Sequence, residues 1–152
     1  MKYIILLYGS QRDYDAMVGK SGTGSDGTGS DTGSTTDQPA WSADDFAAMG
    51  AFMQAWNQEL VDSGEFVDAR GLAEPLHTRR VQLRGGVPVV TDGPYPEAQE
   101  VIAGYTIVDC ESFDRATEIA ARLTKCPPGP GGGEGQFVDV RPILDGQGDL
   151  EP

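Results

Sequence analysis

Two uninterrupted apolar runs are the strongest strand signals in the chain. The first spans Tyr3 to Tyr8 and the second spans Val101 to Val108. Apolar runs of this length without polar alternation are typical of strands that are covered on both faces. Shorter runs at Glu65 to Leu72 and at Gln136 to Arg141 predict two further strands.

Apolar residues recur every three or four positions in two other segments, which predicts two amphipathic helices. The first spans Ala43 to Ser63, with Ser42 as its N-cap and Gly64 just past its C-terminal end. The second begins after Ser112 and ends at Cys126. We interpret both apolar stripes as core packing and not as a cofactor pocket. The stripes consist of Phe46, Met49, Met53, Trp56 and Leu60 in the first helix, and Phe113, Ala116, Ile119, Ala120 and Leu123 in the second.

Between the helices lies a strong hairpin signal. Thr78 to Arg84 and Val87 to Thr91 are strand-like runs joined by Gly85-Gly86. Pro88 cannot donate a ladder hydrogen bond, so its strand is expected at a sheet edge.

The order strand, helix, strand, hairpin, strand, helix, strand matches an α+β fold of the ferredoxin-like, split βαβ type with an extra hairpin. Two helices cover only one face of such a sheet, while the long apolar runs indicate that both faces are apolar. A second copy is the simplest cover for the other face. We therefore expect a homodimer in which two sheets pack face to face.

Glycine and acidic residues divide the chain into one domain and two extra segments. Residues 19–39 are a low-complexity stretch with a degenerate TGSD repeat, which we interpret as a flexible insertion. We expect a single domain over residues 1–143 that contains this insertion, followed by an acidic, flexible tail over residues 144–152.

Charge and composition exclude several functional classes. The chain of 152 residues carries 11 Lys and Arg against 24 Asp and Glu, for a formal charge of −13. Non-specific nucleic-acid binding needs a basic stripe, and a membrane span needs about 18 consecutive apolar residues. The six-residue apolar run near the start is not followed by a signal-peptide cleavage site. We expect a cytoplasmic protein that binds neither nucleic acid nor membrane.

The two cysteines are expected to be free thiols. Cys110 ends a predicted strand and Cys126 follows the second helix, which separates them by roughly 18 Å of helix. A disulfide requires a Cα separation below about 7 Å. We find no Cys/His cluster that selects zinc and expect no cofactor.

His77 and Asp92 stand at the open end of the hairpin. Counting back from the glycine turn pairs Arg80 with Thr91, which makes His77 and Asp92 neighbours if the register holds. An imidazole beside a carboxylate is suited to general acid–base catalysis. The alternative is that His77 is a loop residue without a task and that the Asp-Gly-Pro segment serves only as a turn.

Other polar residues near the hairpin are further candidates. Glu97 and Glu100 are three residues apart and would share a face of a helical turn, where they could act as acid, base or metal ligands. A solvated acidic loop is the alternative. Arg80 could hold an anionic ligand, although cross-strand charge pairing explains it equally well.

The segment Val90-Thr91-Asp92-Gly93-Pro94-Tyr95-Pro96-Glu97-Ala98-Gln99-Glu100, followed by Ile102-Ala103-Gly104-Tyr105, resembles the motif TDGPF-x-E-x-K-E…GGY. That motif names the DGPF proteins, a branch of the YCII-related family. The resemblance covers nearly the whole chain apart from the insertion. It extends to Met1-Lys2-Tyr3…Leu7-Tyr8-Gly9, Leu60-Val61-Asp62-Ser63-Gly64 and Cys126-Pro127…Val140-Arg141-Pro142.

The resemblance implies a dimeric α+β barrel, and it implies a regulatory setting, because family members are often encoded beside extracytoplasmic-function sigma factors. Enzymes using a His/Asp pair, with the His on the first helix, have been proposed in the shorter branch. That helix holds no histidine here, so the pair is not carried over. Tyr95 stands for the family's Phe, and Gln99 stands for its Lys, which removes a cation beside Glu97 and Glu100.

Two functional hypotheses follow. The first is a dimer that binds a small molecule in a pocket between sheet and hairpin. This hypothesis leaves open whether the dimer also catalyses a reaction of that molecule. The second is a non-catalytic interaction module associated with a sigma factor, whose acidic surface meets a basic partner. The first hypothesis assigns catalytic roles to Asp92, His77 and Glu97 and ligand-binding roles to Tyr95, Arg80 and Glu100.

Overall fold

A computed structural model of the chain describes residues 1–19, 40–133 and 135–146. Most of the predicted insertion, and residues 147–152 of the predicted tail, lie outside these ranges. A one-turn 3-10 helix, Pro75–His77, follows the second strand. The other elements are β1 (Lys2–Gly9), α1 (Gln11–Met17), α2 (Ala43–Asp62), β2 (Phe66–Gly71), β3 (Arg79–Arg84), β4 (Val87–Asp92), β5 (Val101–Asp109), α3 (Phe113–Leu123) and β6 (Val138–Pro142).

The two long apolar runs form the centre of a four-stranded antiparallel sheet. Its strand order is β2-β5-β1-β6, so the runs lie side by side as β5 and β1. Ile5 stands opposite Thr106, and a bulge after Leu7 shifts the register near the end of β1. The predicted strands and helices are therefore confirmed, and the fold is mixed α+β. The described sheet is open and does not close into a barrel within one chain.

Alternate residues of the sheet pack against α2 and α3 to form the core. Tyr3 and Ile5 of β1 point to the same side as Val108 of β5, because side chains alternate along a strand. Trp56 donates its indole N–H to the carbonyl of Ile119, which joins the two helices. The buried core consists of Tyr3, Ile5, Trp56, Leu60, Val108, Cys110, Ala116, Ile119, Ala120 and Leu123.

The opposite face of the sheet has an apolar centre with charged margins. Ile4, Leu6 and Tyr8 of β1 alternate with the core residues, so their side chains lie on this opposite face, next to side chains of β5. At the two margins, the Tyr8 hydroxyl donates to Asp139 at 2.7 Å and the Tyr105 hydroxyl donates to Asp68 at 3.0 Å. We call this surface the open face. Ile4 and Tyr105, which lie on it, are only half-buried.

A short helix after β1 was not predicted. Ser10 caps α1 by accepting from the backbone N–H of Asp13, whose carboxylate accepts in return from the backbone N–H of Ser10. This is a capping box, and Ser10 followed by Asp13 three residues later matches the pattern of Ser or Thr followed by Asp or Glu. The polar segment has no buried residue, so it lacks the apolar periodicity on which the prediction of α2 and α3 depended.

The predicted hairpin forms a two-stranded sheet of its own. Its register is the expected one, with Arg84 opposite Val87 and Arg80 opposite Thr91. Pro88 lies on a strand with only one neighbour, as its missing N–H requires. We call residues 79–92 the arm, because β3 and β4 pair with each other and with no strand of the four-stranded sheet.

Candidate functional site

The Asp-Gly-Pro segment closes the base of the arm. Gly93 donates its backbone N–H to the carbonyl of Thr78 at 2.8 Å and adopts a positive φ of 53°. A Cβ at this position would lie 3.4 Å from the carbonyl oxygen of Leu76. Glycine therefore serves both the backbone conformation and the close approach of the preceding loop.

An open hollow of about 290 Å³ lies beside this base. Its lining combines one imidazole, one guanidinium and one carboxylate with a hydroxyl and an apolar side chain. The side chains of His77 and Asp92 are 65% and 81% exposed, so a ligand would reach both from solvent. The lining residues are Leu76, His77, Thr78, Arg79 and Asp92.

His77 is oriented by a carboxylate that the sequence did not single out. Its Nε2 lies 3.3 Å from Oε1 of Glu74, three residues earlier in the 3-10 turn. The amide of Gln11 donates to the other oxygen of Glu74 at 2.8 Å and accepts the backbone N–H of Leu76 at 2.8 Å. The chain Gln11–Glu74–His77 thus ties α1 to the rim of the hollow.

Tyr14 fastens α1 to the same loop. Its hydroxyl donates to the carbonyl of Leu72 at 3.0 Å. Burial, assisted by the negative charge of Glu74, raises the pKa of Tyr14 above its usual value, so the hydroxyl remains a donor. Two side chains of α1 therefore fix the loop that carries His77.

The expected contact between His77 and Asp92 does not form, although both line the hollow. Asp92 instead lies 3.3 Å from Nε of Arg79, and both of these side chains are about four-fifths exposed. Exposed pairs of this kind are held weakly. The backbone register was predicted correctly, but the 3-10 turn gives His77 a nearer carboxylate in Glu74.

Arg80 and Tyr95, both predicted to bind a ligand, contact each other and are not among the residues that line the hollow. The guanidinium carbon of Arg80 lies 4.8 Å from the centre of the Tyr95 ring. A cation over an aromatic face at this distance is attractive, worth about 0.5–1 kcal/mol when exposed. The contact holds the segment after Gly93 against the base of β3.

Glu97 and Glu100 lie away from the hollow. They follow each other through a turn and not a helix, and both side chains are exposed. The backbone carbonyl of Glu97 accepts the N–H of Arg12, so this position contributes through its main chain. In the described ranges, no group of three or more His, Cys, Asp or Glu side chains is arranged to hold a metal ion.

Both cysteines are free thiols, as expected. Burial raises the pKa of Cys110 and of Cys126, which keeps the two sulfurs protonated. Neither thiol lines the hollow.

Comparisons with known proteins agree with the family to which the sequence motifs point. The family model for the YCII-related domain matches residues 1–131. The chain is also similar to an uncharacterised protein of Rhizobium meliloti (strain 1021), with 27% identity over 104 residues, which is 68% of this chain and 80% of the relative. Within the described residues, no helix is long and apolar enough to cross a membrane. The match over most of the chain shows that this protein belongs to the YCII-related family.

Proposed function

We propose that the hollow at the base of the arm binds a small polar metabolite and that His77 exchanges a proton with it. The observation that carries this proposal is the convergence of His77, Arg79 and Asp92 on one open hollow, with Glu74 behind the imidazole. Convergent polar groups in a concave site are the usual mark of a ligand site.

The size and charge of the hollow define the ligand class. At about 290 Å³ it lies at the lower limit of ligand pockets, which favours a small ligand. Arg79 offers a guanidinium for a carboxylate, and its pairing with Asp92 is exposed and therefore easily replaced. We infer a small carboxylate that carries a second polar group next to its carboxyl carbon.

Glu74 gives His77 a defined role. A carboxylate beside Nε2 favours the neutral tautomer with the proton on Nε2, which leaves Nδ1 with a lone pair for proton transfer. Glu74 therefore acts as a positioning residue, while His77 and Arg79 are the groups that meet the ligand.

The single histidine provides a direct test of this proposal. Imidazole NMR signals of His77 should shift on titration with pyruvate and shift much less with acetate, which lacks the second polar group. Arg79→Gln should abolish the pyruvate response. Arg84→Gln, the same change at the far end of β3, should preserve it. The proposal fails if pyruvate at millimolar concentration leaves the His77 signals of the wild-type protein unmoved, or moves them equally in both variants.

We also propose that the protein is a homodimer of the ferredoxin-like type and a member of the DGPF branch. The strand order β2-β5-β1-β6 and the Val90 to Glu100 motif support these assignments. The open face supports the dimer. Ile4, Tyr105 and Ile107 are half-buried there, and the core residues of α2 and α3 pack on the other face of the sheet. Sedimentation velocity should then give about twice the chain mass of 16.1 kDa.

A further inference from the structure

A groove of about 320 Å³ lies between α2 and α3. Clefts between packed helices are common places for small-molecule sites. The lining residues are Phe52, Ala55, Trp56, Glu59, Arg122 and Lys125. None of them lines the hollow at the base of the arm, so the groove is a separate candidate site.

The apolar side of the groove is formed by α2. Phe52, Ala55 and Trp56 are spaced by three and four residues, which places their side chains on one face of the helix. Phe52 and Ala55 have no polar side-chain atom, and the indole nitrogen of Trp56 already donates to the carbonyl of Ile119. These three side chains therefore offer only carbon to a ligand, which suits an apolar molecular body.

The rim of the groove carries two cations and one anion. Nη1 of Arg122 lies 2.7 Å from Oε2 of Glu59, and the two side chains are 41% and 60% exposed. Exposed ion pairs are held weakly, so a ligand can compete for Arg122. The backbone N–H of Lys125 donates to the carbonyl of Arg122 at 3.1 Å, which continues the last turn of α3.

Lys125 is the unpaired charge of this rim. Its ammonium group forms no ion pair with any residue in the described ranges. Glu59 balances Arg122, so the rim keeps a net charge of +1 within a chain of formal charge −13. A local cationic excess beside a carbon surface selects a ligand that has an anionic group on an apolar body.

We propose that the groove binds a small apolar carboxylate, with its hydrocarbon body against Phe52 and Trp56 and its carboxylate at Lys125. A ligand with a cationic group would meet the same carbon surface but would be repelled by Lys125. A purely polar anion would gain nothing from that surface. The volume of the groove admits a single ring that carries a carboxylate, so benzoate is a suitable probe.

The indole N–H of Trp56 provides the readout. The chain has two tryptophans, so its NMR spectrum contains two indole N–H signals. Benzoate should shift the Trp56 signal with a dissociation constant on the order of millimolar. Benzylamine, which has the same ring and the opposite charge, should shift it at least about fivefold less at equal concentration, and so should acetate, which lacks the ring. The proposal is overturned if millimolar benzoate leaves the signal unmoved, or if benzylamine or acetate moves it as far.

Three charge variants test the rim. Lys125→Gln should raise the benzoate dissociation constant about threefold, because the unpaired cation is removed. Glu59→Gln should lower it about threefold, because a like charge disappears and Arg122 is released. Lys2→Gln makes the same change in total charge on β1 and should leave the constant as it is. Equal constants for the two lysine variants, or weaker binding by Glu59→Gln, would overturn the proposal.

Two matched variants test the space itself. Ala55→Leu fills the groove from its lining, whereas Ala51→Leu adds the same side chain one turn earlier in α2. Ala55→Leu should raise the benzoate dissociation constant at least about fivefold, and Ala51→Leu should not change it. Both alanines are exposed, so circular dichroism should show the same fold in each variant. Equal binding by the two variants would mean that benzoate binds outside the groove, which overturns the proposal.

Discussion

At the scale of single residues, the best-formed polar interaction joins Glu65 to Arg115. The guanidinium donates to both carboxylate oxygens, at 2.8 and 2.9 Å, and the Ser63 hydroxyl adds a third donor at 2.7 Å. These hydrogen bonds, led by those from Arg115, lower the pKa of Glu65 from about 4.5 to about 2. The pair connects the residue before β2 to α3 and is mostly shielded from solvent.

We predict that Glu65→Gln lowers the free energy of unfolding by roughly 1–3 kcal/mol at pH 7. Because the folded pKa lies below the unfolded one, the contribution of Glu65 is fully present above about pH 4.5 and is lost as the pH falls toward 2. Urea unfolding at pH 7 and near pH 2.5 measures the difference between variant and wild type.

The matched control is Glu118→Gln, which removes the other, largely exposed carboxylate partner of Arg115. It should cost less than about 0.5 kcal/mol. A loss for Glu65→Gln that persists undiminished at low pH would contradict the electrostatic explanation and indicate a packing defect instead.

The hollow shows what residue-level reasoning from sequence can and cannot reach. The glycine turn fixes the arm's register, so the placement of His77 and Asp92 on one rim was predictable. The hydrogen-bond or ion-pair partner of each side chain was not predictable, because it depends on side-chain rotamers and on the local turn around Pro75. Glu74 lies three residues before His77 and directly before Pro75. A search for acidic residues three positions from a histidine would therefore have found this pair.

At the scale of elements, helix signals were reliable where apolar periodicity and caps coincide. Ser42 caps α2 with a reciprocal bond to Asp45, and the helix ends where Gly64 takes a positive φ of 77°. α1 has an equally complete capping box, but it is seven residues long and buries no side chain. Its position is set by contacts with the loop before the arm, which sequence periodicity does not report.

Two glycines of the α2 region should respond in opposite directions to alanine. Gly64→Ala is expected to cost about 1 kcal/mol, since a Cβ meets no neighbour there but the left-handed backbone disfavours it. Gly50→Ala, on the exposed side of the helix interior and also without steric obstruction, should stabilise by about 0.5–1 kcal/mol. Thermal unfolding of both variants measures the contrast; shifts of the same sign would contradict it.

At the scale of the whole molecule, the described chain is continuous in space across the predicted insertion. A Cβ built on Gly19 would lie 3.0 Å from the Cβ of Ala40. Gly19 and Ala40 therefore nearly touch, which is compatible with the prediction of an insertion within one domain. Composition predicts the insertion at residues 19–39, but it does not predict the distance between the two residues that flank it in space.

Replacing residues 20–39 by a linker of three small residues should preserve the fold. Shortening a loop from about 20 residues to about three reduces its closure entropy, so the free energy of unfolding should rise by roughly 1–2 kcal/mol. Urea unfolding measures the change, and pyruvate titration of His77 checks the hollow. A variant that loses stability would show that the insertion contacts the body.

The sheet order sets a constraint on how the protein is made. β6 lies beside β1, and Tyr3 stands opposite Pro142, so β1 is synthesised long before the strand that pairs with this edge. Contacts of such sequence separation slow folding. Until β6 arrives, β1 presents an unpaired apolar edge, which is a template for association with other chains. A nascent chain released near residue 131, where the family match ends, would keep that edge open. The order of synthesis, and not only the final stability, therefore determines how much of the chain associates with other chains before this sheet is complete.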